Sequence, residues 1–520
     1  MYSAPMQWPW FAIAFALYPL LHVAAANPGQ VEASSLALVV GATLLIAAVL
    51  LLLLRAALGN WLRAALGVTW FVLLFFTYGP LNAWLGGLGG VPEETLDTTT
   101  GWSDERLQLV HSAIWALLLL LGWVMLRRLK GDGGRLPGAL NLASLLLLGF
   151  ALVQWLAGAG RAESLAPQET AAVAYSGPRP DIYFIVLDGY SRADVLEQQY
   201  GFDNTPFLDG LRRRGFQVSD DSRSNYNWTF LSLAATLNMD FVQDLMGKAL
   251  DPASGDREFV YRMLRDNRAA AFLRARGYRF IHLQSTWGGT GSNPYADEFR
   301  PCGGGVFRDD FLLAIAEASW LRALGTSASM DLAQCHLRNF DTLAGLAAAP
   351  GPKFVLAHFL PPHHPYLFDR DGNVLRNATL SNQFEFQKRL WEKREGYVDQ
   401  LTFVNSRVEK VLDRLIAGSA IPPIILLQSD HGPNLRRGLT AAGHHRIRLT
   451  NLSAVLLPGA PAELMPSDAT PVNLFRRVFN HYFDADLPLR PDRHFVSQFG
   501  QPYRFVEVDK NGERLEAVAD

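Results

Sequence analysis

The sequence predicts two parts of different class. An N-terminal domain of five transmembrane helices precedes an α/β domain with a mainly parallel central sheet flanked by helices. Three observations predict this. Five apolar stretches fall in the first 158 residues, and most of the charge of the 520-residue chain lies after Arg161. From residue 181 onward, short apolar runs alternate with helical patterns, the order that builds parallel sheets. Three of those runs end in Asp or His, and ligands of open α/β sheets gather at the carboxyl ends of strands. The formal net charge is −2, so no global field favours nucleic acid, and none is expected as a partner.

The apolar stretches, approximately Trp8–Ala26, Leu36–Leu58, Trp61–Leu85, Leu107–Leu126 and Leu140–Ala157, are each long enough to span roughly 30 Å of hydrocarbon. Gly79-Pro80 predicts a kink or an early exit from the third. Four further spans argue against a cleaved signal peptide in the first. Arg55 and Arg63 lie between spans two and three, and Arg127, Arg128, Lys130 and Arg135 between four and five. The loop from Gly86 to Arg106 is acidic, and Asn27–Glu32 has no Lys or Arg. The positive-inside rule then places the N-terminus inside and everything after Ala157 outside. His22 and His111 stand alone near span ends and read as structural. The expected layout is a transmembrane domain over 1–158, a Gly- and Pro-containing linker over 159–180 and a catalytic domain over 181–520.

In the catalytic part, Ile182–Leu187 reads as a buried strand delivering Asp188-Gly189. Asn204-Thr205-Pro206 announces a helix that ends near Gly215. Thr229 opens an apolar helical pattern running to Met239. Further strand-like runs are Tyr278–Leu283, Lys353–Phe359, Ile424–Gln428 and Ser453–Leu457. Tyr397, Leu401, Val404, Val408, Val411 and Leu415 form the core stripe of a long helix. There are no repeats and no low-complexity segments.

The chemistry concentrates at strand ends. The first strand stops at Asp188. The run from Lys353 carries His358 and leads into Pro361-Pro362-His363-His364-Pro365-Tyr366. The run from Ile424 leads into Ser429-Asp430-His431-Gly432, where glycine lets the backbone turn beside two ligand-type side chains. Asp188, Thr229, Asp430 and His431 offer three oxygens and one nitrogen, a donor set suited to a divalent metal, zinc or manganese. Each residue alone could be a cap or a core polar pair; four at successive strand ends and a helix start point to a metal site. Helix N-termini also suit anions.

These residues resemble the alkaline phosphatase/sulfatase superfamily, specifically its membrane-anchored branch of lipoteichoic acid synthases and phosphoethanolamine transferases. The resemblance covers most of residues 180–460 and the five-span layout, and Ser429-Asp430-His431-Gly432 is its most specific part. It implies an alkaline-phosphatase-like fold, a catalytic metal on Asp188, Thr229, Asp430 and His431, Thr229 as nucleophile, and His363 as a phosphate contact. Lipoteichoic acid synthases carry glutamate where this chain has Asp188. Type I sulfatases need Cys or Ser followed at two and four positions by Pro and Arg, and neither Cys302 nor Cys335 has that context. No further Asp-plus-His set stands out for a second metal. His358, His364, His444 and His445 are left as phosphate contacts or ligands of a second ion. Arg446 and Arg448 form a basic cluster beside them that either faces an anionic substrate or lies in a solvated loop. His282, His336, His481 and His494 read as structural.

The expected activity is a metal-dependent phosphotransferase of a bacterial-type inner membrane, acting on the periplasmic side. It would move a phosphoethanolamine or phosphoglycerol head group from a phospholipid to an envelope glycan or lipid through a phosphothreonine. The alternatives are a membrane-bound phosphodiesterase, phosphatase or sulfatase-like hydrolase using water, and a non-catalytic scaffold. A monomer is expected. In an oxidising compartment the only two cysteines, Cys302 and Cys335, are expected to pair.

Overall fold

The computed structural model describes residues 8–26, 31, 33–88, 104–129, 134–163, 175–247, 250–303, 310–321, 325–375 and 390–515. The linker over 164–174, much of the acidic loop and Lys130 lie outside them. The chain forms two compact units.

The first unit holds five helices, α1 (Phe11–Ala26), α2 (Ala33–Leu58), α3 (Trp61–Leu88), α4 (Asp104–Arg128) and α5 (Leu136–Glu163). They follow the five apolar stretches of the sequence. Among the described residues, however, only Ala33–Leu58, Trp61–Gly79 and Leu136–Leu156 are long and apolar enough to cross a membrane. The structure thus supports three candidate spans where five were expected. Helix α1 has 16 residues, about 24 Å at 1.5 Å per residue. Helix α4 opens on Asp104, Glu105 and Arg106. Helix α3 continues through Gly79-Pro80. Small residues line the seam of α1, α2 and α3, where Ala12, Ala16, Ala47, Ala64 and Ala65 are buried, as close helix approach in lipid requires. Trp70 Nε1 and Trp115 Nε1 donate across α3 and α4 to Leu118 O and Leu74 O. Outward-facing Leu45, Leu53, Leu146 and Val153 are exposed, consistent with a membrane domain.

Residues Phe311–Leu324 also belong to this unit, an excursion that the contiguous domain boundaries did not foresee. Phe311, Leu312 and Ile315 are buried with Leu20 and Ala24, against Leu36, Phe76 and Trp155. Cys302 and Cys335, joined by a disulfide, flank the excursion in the second unit.

The second unit is built on a seven-stranded sheet: β1 (Ile182–Leu187), β2 (Gln217–Val218), β3 (Arg279–Leu283), β4 (Glu298–Arg300), β5 (Lys353–Phe359), β6 (Ile424–Gln428) and β7 (Ser453–Leu456). Their order is β2-β7-β6-β1-β5-β3-β4. Strands β6, β1, β5, β3 and β4 run parallel, β7 runs antiparallel to β6, and β2 runs antiparallel to β7. Strand β1 is buried along its whole length, which explains its unbroken apolar sequence. The helix Thr229–Asn238 is buried at every position after its first. The stripe Tyr397, Leu401, Val404, Val408, Val411 and Leu415 is buried on the helix Arg394–Gly418. A separate hairpin, β8 (His494–Gln498) and β9 (Gln501–Val508), was not foreseen.

The order of strands positions the site. Strand β1 is central, with β5 on one side and β6 on the other, and Val186 is in register with both His358 and Gln428. The residues that follow the three strands are therefore neighbours in space.

Candidate active site

Asp188 is carried just past the end of β1, its backbone N–H bonded to Phe359 O at 2.9 Å. Gly189 follows with φ of 65°, and a Cβ there would press on Trp391. Asp430 and His431 follow β6. Gly432 has no room for a side chain, because a Cβ would overlap Ile447 O and Thr450 O. Thr229 is the first residue of its helix and is only partly buried. The first turn of that helix is tied to the β6 loop by Ser232 Oγ, which donates to Asp430 O at 2.7 Å.

The protonation of His431 follows from its partners. Nδ1 lies 3.0 Å from Gly432 O, an acceptor only, so Nδ1 carries the proton and Nε2 presents a lone pair. That lone pair is 3.1 Å from Asp430 Oδ2 and 3.8 Å from Asp188 Oδ1. Thr229 Oγ1 lies 3.0 Å from the same nitrogen. Asp430 Oδ1 accepts from Gly189 N at 3.0 Å. Asp430 Oδ2, Asp188 Oδ1 and His358 Nε2 are buried with no hydrogen-bond partner. Burial pushes both carboxyls up, Asp430 to about 7 with Asp188 adding to it, and drives His431 well below the usual imidazole range. Two carboxylate oxygens and an imidazole nitrogen without hydrogen-bond partners converge beside His431, a donor set that suits a buried cation. Asp188, Asp430 and His431 form the one three-residue cluster of metal-ligand type among the described residues. The residues present fit a divalent ion, with Thr229 beside them.

The remaining histidines separate. His358, near the end of β5, points Nε2 at Asp188 Oδ2 across 3.6 Å. Its Nδ1 is held 2.8 Å from Thr290 Oγ1, and burial lowers it to about 4. His363 donates its backbone N–H to Asp188 O at 3.1 Å and packs edge-on to Trp391. His364 is buried behind it against Trp391 and Tyr366. His444 faces Asn434, and His445 faces Gly512 O at 3.1 Å. Neither His445 nor Arg446 makes a described contact with the metal-ligand cluster.

The guanidinium that reaches the cluster is Arg448. It is 4% exposed and its Nη2 donates to His431 Nε2 at 2.9 Å. Arg446 and Arg448 are two positions apart on the helix Ala441–Leu449 and so point about 200° apart. The signal that could have oriented them is Thr440, whose Oγ1 caps the helix by accepting from Gly443 N. Flanking Ile447 and Leu449, both buried, mark the inward face.

The sulfatase family model matches residues 180–481, more than half of the chain. The chain belongs to the sulfatase family, a family of enzymes. It is similar to the C-terminal periplasmic domain of EcEptC from Escherichia coli in complex with Zn, at 14% identity and a TM-score of 0.43, over 66% of this chain and 96% of that one. The C-terminal periplasmic domain of phosphoethanolamine transferase EptC from Campylobacter jejuni is similar at 12% identity and a TM-score of 0.38, over 59% and 90%. The phosphonate monoester hydrolase of Agrobacterium radiobacter is similar at 13% identity and a TM-score of 0.39, over 61% and 80%. No curated protein matches the sequence.

Proposed function

We propose that the protein is a metal-dependent phosphotransferase of the bacterial inner membrane, with a periplasmic catalytic domain. It moves a phosphoethanolamine or phosphoglycerol head group from a phospholipid to an envelope glycan or lipid. The observation that carries this reading is a hydroxyl, not a cysteine thiol, at the helix start. Thr229 Oγ1 sits 3.0 Å from Nε2 of His431, with Leu231 and Leu233 where a formylglycine motif would need Pro and Arg. Asp188, Thr229, Asp430 and His431 would hold one divalent ion, zinc or manganese, which lowers the hydroxyl pKa and offsets phosphoryl charge. Thr229 attacks phosphorus, a phosphothreonine forms, and diacylglycerol leaves into the membrane. An acceptor hydroxyl then takes the group. The helix N-terminus at Thr229 and His363 face the non-bridging oxygens.

The N-terminal apolar helices are taken as a membrane domain with the N-terminus inside and the chain after Ala157 outside. Reporter fusions after Arg135 and after Gly177 should report opposite sides; a shared side removes the periplasmic assignment. The function is tested by incubating full-length protein with labelled phosphatidylethanolamine or phosphatidylglycerol, with and without envelope acceptors. Diacylglycerol release, label on Thr229 and its passage to an acceptor are expected. Fast release of free head-group phosphate, indifferent to any acceptor, would make the enzyme a hydrolase.

A further inference from the structure

Arg448 holds an unusual place for a buried cation. Nε donates to Asn227 O at 2.9 Å and Nη1 to Gly432 O at 2.7 Å. The Trp228 ring lies 5.2 Å from the guanidinium carbon. These contacts fix the plane of the fork from both sides of the site, since Asn227 precedes Thr229 by two residues and Gly432 follows His431. No carboxylate among the described residues forms an ion pair with Arg448. Its Nη2 is instead spent on the lone pair of His431, the same nitrogen that Thr229 Oγ1 touches.

We propose that Arg448 is the anion-binding residue of the site, and that Nη2 grips a non-bridging phosphoryl oxygen once His431 Nε2 is committed to a metal ion. A lone pair cannot serve both a metal and an N–H. Loading the site therefore frees Nη2, already aimed at the region of the Thr229 hydroxyl. Charge points the same way. Asp188 and Asp430 supply two negative charges, a divalent ion balances them, and Arg448 is left as the unmatched positive charge beside the nucleophile. A planar, permanently charged fork suits phosphoryl oxygens. Anion binding is then metal-dependent, and it depends on Arg448 rather than on Arg446. This inference rests on the phosphoryl-transfer reading of the same site.

The test measures inorganic phosphate binding to full-length protein by titration calorimetry, metal-free and zinc-loaded, with zinc content measured on each sample. Wild type should bind phosphate only when loaded. Arg448→Gln should weaken phosphate binding by about tenfold or more, the size of one charged hydrogen bond, with zinc content unchanged. Arg448→Lys should lose a smaller factor and serves if the Gln variant does not fold. Arg446→Gln should match wild type. Equal phosphate affinity in wild type and both Arg448 variants at equal zinc content would overturn the proposal. So would loss of zinc in both variants, which would make Arg448 a support of the metal site. Phosphate binding lost in the variants with no label ever appearing on Thr229 would leave the anion site standing and remove the transferase.

Discussion

Strand β1 carries a carboxylate at each end, and the two are treated in opposite ways. Asp181, just before the strand, meets Lys353 Nζ at 2.5 Å and accepts the Lys353 backbone N–H at 3.2 Å. Lys353 Nζ also donates to Ala349 O at 2.8 Å. The chain thus supplies its own cation and satisfies it. Asp188, just after the strand, has a buried oxygen with no partner and faces a second carboxylate and the imidazole nitrogens of His358 and His431. One end is a closed ion pair that locks β1 to β5. The other is an open site in which no cation among the described residues forms a closed ion pair with Asp188.

The difference is broken most severely at Thr229, the proposed nucleophile. Thr229→Ala should lower turnover on the order of 10⁴-fold or more, measured with the labelled lipid donor, whereas Asp181→Asn should leave the activity of the folded protein near wild type. Residual phosphoenzyme in Thr229→Ala would move the nucleophile elsewhere.

Metal content is the next contrast. Asp430→Ala should carry little zinc or manganese by elemental analysis, and Asp181→Asn should carry the wild-type amount. Equal content in wild type and Asp430→Ala would dissolve the open end as a metal site.

Stability should move in opposite directions. Removing Asp181 strands a buried Lys353 and should cost about 3–5 kcal/mol. Asp188→Asn removes an unpaired buried charge and should stabilise the metal-free protein by about 1–3 kcal/mol. Denaturant melts of the metal-free protein decide this, and destabilisation by both would erase the distinction.

The open end also predicts a pH dependence. Burial, with Asp188 adding to it, raises Asp430 to about 7 when folded, against an unfolded value near 4. A raised carboxyl stabilises below the unfolded value, and that contribution is lost as pH climbs through the folded one. Metal-free protein should therefore weaken between about pH 4 and pH 7, and Asp430→Asn should flatten the slope. The smallest effect is expected at His445, whose replacement by Ala should leave metal content unchanged and shift stability by under about 1 kcal/mol.

The sheet was legible because buried parallel strands are written as unbroken apolar runs, and Lys353–Phe359 and Ile424–Gln428 appear in the structure with the bounds the sequence implies. Asp188, Asp430 and His431 were legible because they stand directly after such runs. Arg448 was not singled out, since facing depends on where its helix begins, and that rests on one cap at Thr440. The Thr290 contact to His358 joins residues 68 apart, a distance over which local pattern is silent. Helices stand at all five apolar stretches, and among the described residues three of them qualify as candidate spans.

The excursion of Phe311–Leu324 into the membrane unit changes what a cut in the linker can do. Severing the chain between residues 163 and 175 would separate the two covalent pieces but leave Phe311, Leu312 and Ile315 seated among Leu20 and Ala24. The catalytic fragment should stay with the membrane pellet after such a cut and appear in the supernatant only in detergent. A second cut inside the excursion would still leave its flanks joined through Cys302 and Cys335. A recombinant piece begun at residue 175 would carry three orphaned apolar side chains in place of an anchor, and solubility would be limited there rather than at the new terminus.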